Sequence, residues 1–217
     1  MPAPAGAGDG GARAGRAVDA VLFDLGNVLV RWDPHLPYVG RHPRAEVDRF
    51  FRESDFMELN HAQDAGESWS VLRARLEQRR PDLVPMLDVY LEGFRAAVPG
   101  EVAGARRTVR ALLAAGVHVH GLTNWGAGNW HVAAEQAPVI GLLEGVVVSG
   151  QEKVAKPDPE VFRRAAERFR LEPSRTLFTD DTPCNVEAAA ALGFRAHLFR
   201  DHDELADHLR TLGVPLP

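Results

Sequence analysis

The sequence predicts an α/β fold with a core of parallel strands and a smaller helical domain inserted into it. Short apolar segments that end in turn-forming or polar residues alternate with segments of helical periodicity over most of the chain. Between residues 34 and 99 this alternation stops, and the sequence contains helix-like patterns but no convincing strand. Strands that alternate with helices form parallel sheets with right-handed crossovers, so the two parts of the chain are expected to differ in architecture.

Five apolar segments have the length and composition of short buried strands. Polar residues follow several of them directly: Asp24 follows the first, Thr123 the second, and Asp180 with Asp181 the fourth. The predicted strands are residues 17–23, 117–122, 146–148, 176–179 and 195–199.

Helical periodicity separates these strands. Apolar side chains recur on one face of residues 101–115, and Gly116 suits the position just after a helix. Asp158 and Pro159 suit the N-cap and the first residue of a helix over 159–169. Further helices are predicted for 185–192 and 203–212 and, in the insertion, for 45–51, 68–78 and 83–97.

The domain boundaries follow from this pattern. Residues 1–16 are mostly Ala, Gly and Pro and are predicted to be a flexible tail without the apolar centre of a secretory signal. Residues 17–33 and 100–217 form the predicted α/β core, and residues 34–99 form the inserted helical domain.

Composition limits the possible classes of function. Hydrophobic residues make up 45% and charged residues 25% of the 217 residues, which is typical of a globular protein. The net charge of −5 indicates no nucleic-acid partner, and no apolar run approaches the roughly 18–20 residues that span a membrane. The single cysteine, Cys184, excludes an internal disulfide and a Cys-rich zinc site. We therefore expect a cytoplasmic protein, monomeric or homodimeric, whose partner is a small molecule.

Reactive side chains follow the predicted strands at points that the fold brings together. In an open α/β sheet, ligands bind beyond the carboxyl ends of the strands. Asp24, Asp180 and Asp181 would repel one another there, and a divalent cation with oxygen ligands, such as Mg²⁺, would relieve the repulsion. Asp24 is then a candidate carboxylate nucleophile, while Thr123 and Lys156 are candidates to stabilise a transferring anion.

Four motifs in this order resemble those of the haloacid dehalogenase superfamily, whose members are mostly phosphatases. The resemblance covers nearly all of the chain after the tail and implies a Rossmann-like, HAD-like core. It also implies that residues 34–99 are a helical cap of the first cap class, which closes over the site. The motifs are residues 23–29 (Phe-Asp-Leu-Gly-Asn-Val-Leu), 121–124 (Gly-Leu-Thr-Asn), 156–159 (Lys-Pro-Asp-Pro) and 178–193, which begins Phe-Thr-Asp-Asp.

The resemblance implies a Mg²⁺-dependent phosphatase that acts on small phosphorylated metabolites through an aspartyl-phosphate intermediate. It assigns catalysis to Asp24, Thr123 and Lys156. The implied metal ligands are Asp24, the carbonyl of Gly26, Asp180 and Asp181. The candidate phosphate and substrate contacts are Gly26, Asn27, His61, Asn124 and Trp125.

Gly26 departs from the usual family pattern, in which a second Asp at this position protonates the leaving group and later activates water. A bacterial subgroup that resembles sugar-phosphate and glucose-1-phosphate phosphatases also has Asp-Leu-Gly-Asn here and a cap stretch similar to residues 60–67, so sugar phosphates are the expected substrates. General acid–base catalysis is worth roughly 10²–10⁴ in rate. Either the substrates have leaving groups of low pKa, or a cap residue replaces the acid, with Asp33 and His61 as candidates.

Three other functions compete with the phosphatase. A 2-haloacid dehalogenase uses the same nucleophile and also lacks the second acid, but it needs neither a metal nor the acidic pair Asp180 and Asp181. A non-catalytic protein that binds a phosphorylated metabolite is compatible with Gly26. A phosphomutase depends on the second acid, so Gly26 argues against it.

Overall fold

The computed structural model describes residues 15–217. The strands are β1 Ala20–Phe23, β2 Val30–Arg31, β3 Gly100–Glu101, β4 His118–Thr123, β5 Val146–Val148, β6 Thr176–Asp180 and β7 Arg195–Leu198. The helices are α1 Arg44–Glu53, α2 Phe56–Asp64, α3 Trp69–Arg79, α4 Val84–Glu92, α5 Phe94–Ala97, α6 Ala105–Ala114, α7 Trp130–Gln136, α8 Ser149–Glu152, α9 Pro159–Phe169, α10 Pro183–Ala191 and α11 His202–Thr211.

Five parallel strands form the central sheet in the order β5-β4-β1-β6-β7, which confirms the predicted α/β class. Buried residues of β1 alternate between the two faces of the sheet: Val21 packs in one apolar cluster and Leu22 in the other. The chain crosses from one side of β1 to the other between β5 and β6. Ligands bind at such a switch point in open α/β sheets, so the carboxyl end of β1 is the expected place for a site.

Strand register places the predicted reactive residues at one edge. Phe23 of β1 pairs with Gly121 of β4 and with Thr179 of β6. Asp24 therefore follows its strand at the level of Asp180, and the Asp24 N–H donates to the Thr179 carbonyl at 2.9 Å.

The amino-terminal boundary differs from the prediction by a few residues. Residues 1–14 of the predicted tail lie outside the described residues. Arg16 belongs to the folded core and not to a tail: it is buried and donates to the carbonyls of Ala115 and Gly116 at 2.9 and 2.8 Å. The two terminal nitrogens of its guanidinium group make these bonds, and Nε donates to Asp19 Oδ1 at 3.2 Å.

Residues 34–99 contain helices and no strand, as the periodicity predicts. The predicted helix 83–97 is divided at Gly93, which ends α4 and precedes α5. A Cβ atom at this position would lie 2.8 Å from Pro37 Cβ, so the close approach of Pro37 requires glycine. Helix α2 was not predicted. It begins after Asp55, whose φ of 53° is in the left-handed region. The division of the chain into core and cap stays a prediction.

The pair β2 and β3 connects the insertion to the core. Val30 pairs with Glu101 and Arg31 with Gly100 in an antiparallel ladder at the point where the chain leaves and re-enters the core. This pairing explains why the predicted helix 101–115 starts only at Ala105. Two-residue strands carry too little periodicity to be predicted from sequence.

Aromatic packing joins the insertion to the core. Phe56 and Phe94 both make edge contacts with Tyr90, at centroid distances of 4.8 and 5.7 Å. Phe94 in turn contacts Trp125 of the core at 6.2 Å, so one apolar cluster runs from the insertion into the sheet layer. None of the helices in residues 15–217 is both long enough and apolar enough to cross a membrane.

Candidate active site

A buried ion cluster lies at the carboxyl ends of β1 and β6. Lys156, which is only 1% exposed, donates through Nζ to Asp24 Oδ1 and to Asp180 Oδ2, both at 2.7 Å. A third bond from Nζ reaches the Leu122 carbonyl at 3.0 Å. All three protons of the ammonium are therefore used, which satisfies a buried charge that would otherwise be very unfavourable.

The carboxylates outnumber the ammonium in this cluster. Burial alone would lower the pKa of Lys156, but Asp24 and Asp180 outweigh this effect and raise it. Burial raises the pKa of Asp24 to about 7. The charge of Lys156 opposes this shift, and the charge of Asp180 adds to it. Burial and the charge of Asp180 also raise the pKa of Asp181. The site thus carries negative charge that its own lysine does not neutralise.

The residues present fit a divalent metal ion. Asp24, Asp180 and Asp181 each offer one carboxylate oxygen, and these atoms lie within 4.8 Å of one another. Hard oxygen donors with an excess of negative charge suit Mg²⁺. Gly26 lines the same cavity, as its predicted role as a carbonyl ligand requires.

Asp180 is the most constrained of these carboxylates. Asn185 Nδ2 donates to both of its oxygens, at 3.1 and 3.0 Å, and the Thr182 N–H donates to Oδ1 at 2.8 Å. Asp180 thus already accepts bonds from Lys156, Asn185 and Thr182, so it fixes the position of Lys156. Asp181 is exposed and its oxygens are less occupied.

Asn124 holds the main chain of Lys156. Its Oδ1 accepts from Lys156 N–H at 2.8 Å, and its Nδ2 donates to the Lys156 carbonyl at 2.9 Å. Asn124 also lines the cavity, but these bonds make its side chain a support for Lys156. Its predicted contact with phosphate stays a prediction.

Thr123 ends β4 with a fully buried side chain. Its Oγ1 has no hydrogen-bond partner among residues 15–217. A buried hydroxyl without a partner costs about 1–3 kcal/mol, which is unusual unless a ligand completes it. This orphan hydroxyl is compatible with the predicted contact to a transferring phosphoryl group.

Asn27 is placed differently from the prediction. It is exposed, lies outside the cavity wall formed by the described residues, and accepts from Trp32 N–H through Oδ1 at 3.0 Å. Its φ of 54° is in the left-handed region, which Asn adopts more readily than most residues. Asn27 therefore shapes the turn after Asp24, and its assignment as a phosphate contact stays a prediction that this placement does not support.

The position of Gly26 has room for a side chain. A Cβ atom there would lie 3.9 Å from Asp24 Oδ2, an ordinary van der Waals distance, and its φ is not in the left-handed region. A Cβ atom therefore fits at this position, and the backbone conformation does not require glycine.

A cavity of about 330 Å³ opens above the ion cluster between the core and the insertion. Asp24, Lys156 and Asn124 form its floor, and the predicted contacts His61 and Trp125 lie in its wall. The wall also has an apolar part made of Trp32, Met57, Phe94, Trp125 and Pro157. Its further polar residues are Asn60, Gln63, Asp64, Asn129, Thr182, Cys184 and Asn185, which with Gly26 and Gly126 complete the lining.

The main residue that sequence reasoning missed is Asp64. It ends α2, is 8% exposed and lies in the cavity wall. Burial, followed by the charge of Asp24, raises its pKa to about 8, although Lys156 acts in the opposite direction. The available signal was the spacing of Asn60 and Asp64, which are four residues apart in the cap stretch and share a helix face.

The two candidates to replace the missing acid, Asp33 and His61, lie in different places. Asp33 lies outside the cavity wall formed by the described residues, and its Oδ1 accepts from His35 N–H at 2.9 Å at the start of a helical turn. Asp33 is therefore not suited to protonate a leaving group. His61 lines the cavity but is exposed.

Comparisons with known proteins agree with this geometry. A family model described as haloacid dehalogenase-like hydrolase matches residues 18–193. Flavin mononucleotide hydrolase 1 of Arabidopsis thaliana is 25% identical over 204 residues, which cover 92% of this chain and 79% of that protein. A sesquiterpene phosphatase of Aspergillus oryzae is 29% identical over 191 residues, covering 80% of this chain and 86% of that protein.

The fold also matches solved structures. A HAD family enzyme from Bacteroides thetaiotaomicron superposes with a TM-score of 0.70 at 19% identity, over 90% of this chain and all of that one. The same enzyme in complex with magnesium and inorganic phosphate superposes with a TM-score of 0.64 at 20% identity, over 87% of this chain and 98% of that one.

Proposed function

Since the chain belongs to the haloacid dehalogenase-like hydrolase family, we propose that this hydrolase is a Mg²⁺-dependent phosphatase of small phosphorylated metabolites. The observation that carries the proposal is the placement of Asp24 at the floor of the cavity, held by Lys156 beside two further carboxylates. The phosphatases among its relatives and the magnesium and phosphate in a structural neighbour support it.

The mechanism begins with Asp24. Lys156 holds Oδ1, so Oδ2 is the oxygen left to attack phosphorus. As the bond from Oδ2 to phosphorus forms, the bond from phosphorus to the leaving oxygen breaks, and that oxygen departs with the electron pair. Water then attacks the aspartyl-phosphate, releasing inorganic phosphate and free Asp24.

The other residues stabilise charge in this sequence. Mg²⁺ bound by Asp24, the Gly26 carbonyl, Asp180 and Asp181 would supply positive charge to the phosphoryl oxygens. Thr123 Oγ1 would donate to one of these oxygens, and Lys156 would offset their charge while holding the nucleophile. Asn124, Asp180 and Asn185 keep Lys156 in place.

Two classes of substrate fit different parts of the cavity wall. Sugar phosphates, which the subgroup resemblance favours, would use its amide side chains, among them Asn60 and Asn129. Phosphates with a planar or apolar body would pack on Trp32, Phe94 and Trp125. The names of two relatives, a flavin mononucleotide hydrolase and a sesquiterpene phosphatase, agree with the second class.

The test is phosphate release from sugar phosphates, flavin mononucleotide, an isoprenoid phosphate, acyl phosphates and p-nitrophenyl phosphate, with Mg²⁺ or with EDTA. We expect turnover that requires both Mg²⁺ and Asp24, so Asp24→Asn serves as the inactive variant and Asp33→Asn as the matched control with full activity. EDTA-resistant release of halide from a 2-haloacid would instead support the dehalogenase. Thermal stabilisation by a phosphate ester without any turnover would support the non-catalytic protein.

A further inference from the structure

The proposed reaction lacks a proton donor. The departing oxygen needs a proton, and position 26, where the usual family pattern has an acid, is Gly26 and has no side chain. Lys156 does not fill this role because its three protons are bound by Asp24, Asp180 and the Leu122 carbonyl. A donor must therefore come from elsewhere in the cavity wall.

Asp64 is held in that wall from the side of the insertion. Asn60 Nδ2 donates to its Oδ2 at 3.0 Å, and Ser149 Oγ donates to its main-chain carbonyl at 2.6 Å. Ser149 Oγ also accepts from Trp125 N–H at 3.0 Å, so one hydroxyl ties the end of α2 to the loop after β4. These bonds fix Asp64 against the core.

Gly126 allows this close approach. A Cβ atom at Gly126 would lie 1.1 Å from Nε2 of the buried Gln63 side chain, so any other residue here would displace that side chain. The hydrogen bond from Ser149 and the close packing of Gln63 on Gly126 thus place Asp64 next to the residues that follow β4.

The surroundings of Asp64 favour a neutral carboxylic acid. Its carboxyl is buried and forms no ion pair with any Lys, Arg or His of residues 15–217. Asp24 lies near enough for its charge to raise the pKa of Asp64, which reaches about 8. A neutral acid near the nucleophile holds the proton that a leaving group needs.

We propose that Asp64 is the general acid and base of this site, in place of the carboxylate that is missing at Gly26. This inference rests on the proposed phosphatase function. In the first step, the Asp64 carboxyl gives its proton to the leaving oxygen as the bond to phosphorus breaks, so an alcohol leaves and Asp64 becomes a carboxylate. In the second step, Asp64 takes a proton from the water that attacks the aspartyl-phosphate, which restores the acid as inorganic phosphate forms.

The test compares Asp64→Asn with the wild type on a series of substrates that differ in leaving-group pKa. Asn is isosteric, is neutral like the protonated acid and still accepts from Asn60, so folding should be kept and is checked by thermal melting. We expect kcat/KM to fall by roughly 10²–10⁴ for alkyl phosphates, which need a proton. For acyl phosphates and p-nitrophenyl phosphate, whose leaving groups need little protonation, kcat/KM of the variant should fall much less. The kcat/KM of Asp64→Asn should therefore depend more steeply on leaving-group pKa than that of the wild type.

A second variant separates chemistry from packing. Position 26 has space for a side chain, so Gly26→Asp in the Asp64→Asn background restores an acid near the nucleophile. We expect it to recover part of the alkyl phosphatase activity. His61→Asn tests the other candidate donor in the cavity wall: if Asp64 is the acid, this variant keeps the leaving-group dependence of the wild type.

The outcomes distinguish the two proposals. If the wild type hydrolyses p-nitrophenyl phosphate with Mg²⁺ but Asp64→Asn loses activity equally on all substrates, or not at all, Asp64 has only a structural role and the inference is wrong. If His61→Asn instead steepens the leaving-group dependence, His61 is the donor. Absence of Mg²⁺-dependent turnover in the wild type would overturn the proposed function itself.

Discussion

Asn124 binds the main chain of Lys156 at two points, with its Oδ1 2.8 Å from the amide nitrogen and its Nδ2 2.9 Å from the carbonyl oxygen. This pairing connects the end of β4 to the segment that carries Lys156. The lysine ammonium then reaches Asp24 and Asp180. The position of Asp24, the proposed nucleophile, therefore depends on Asn124, which has no reactive group.

We predict that Asn124→Ala lowers kcat by about 10²-fold, because a misplacement of about 1 Å in a catalytic group has an effect of this size. KM should change less if Asn124 acts only on Lys156. Steady-state kinetics on p-nitrophenyl phosphate provide the measurement. A rise in KM with unchanged kcat would instead show that Asn124 binds the phosphate directly.

Asn27→Ala should affect stability and not catalysis. The variant loses the hydrogen bond to Trp32 N–H, worth about 0.5–1.5 kcal/mol, and places Ala in the left-handed region at a further cost of about 1–2 kcal/mol. Asn27→Gly, which loses only the hydrogen bond, is the matched control and should be less destabilised. Urea unfolding measures the stability of both variants. A raised KM in either variant would show that Asn27 contacts the phosphate.

Asp181→Asn should weaken Mg²⁺ binding without disturbing Lys156. Asp181 is exposed and accepts only from the hydroxyl of the neighbouring Thr182, so its substitution removes a proposed ligand but no support of Lys156. We expect a higher Mg²⁺ concentration for half-maximal activity and a smaller rise of Tm on adding Mg²⁺. Asp201→Asn, which removes a helix-capping carboxylate, controls for a lost surface charge and should respond to Mg²⁺ like the wild type.

Asp64→Asn should stabilise the metal-free protein above neutral pH. Burial raises the pKa of Asp64 from 3.8 to about 8 on folding. The charge of Asp24 adds to this effect, and the charge of Lys156 opposes it. The folded state therefore binds the proton more tightly, so this group favours folding fully below pH 3.8 and loses that contribution as the pH rises to about 8. Urea titrations at pH 5 and pH 9 should show a difference between variant and wild type that grows with pH. A constant difference would mean that Asp64 is ionised throughout.

Much of the fold was predictable because local patterns and packing agree. The strand that ends at Asp24 and the helix Pro159–Phe169 were both predicted from apolar periodicity and capping residues, and both are present. The short strands Val30–Arg31 and Gly100–Glu101 were not, since their pairing depends on residues about 70 positions apart.

The amino-acid sequence by itself determined the α/β core, the order of the strand-end residues and their identity as a carboxylate and lysine cluster. These features depend on periodicity and on residue type, which a single chain displays directly. Only the tertiary structure decided that Asn124 supports Lys156, that Asn27 shapes a turn, and that Asp64 and not Asp33 lies in the cavity wall. The reason is physical: a side chain's role depends on what it contacts across the fold, and Asp64 is held at the site by Ser149, which is far from it in the sequence.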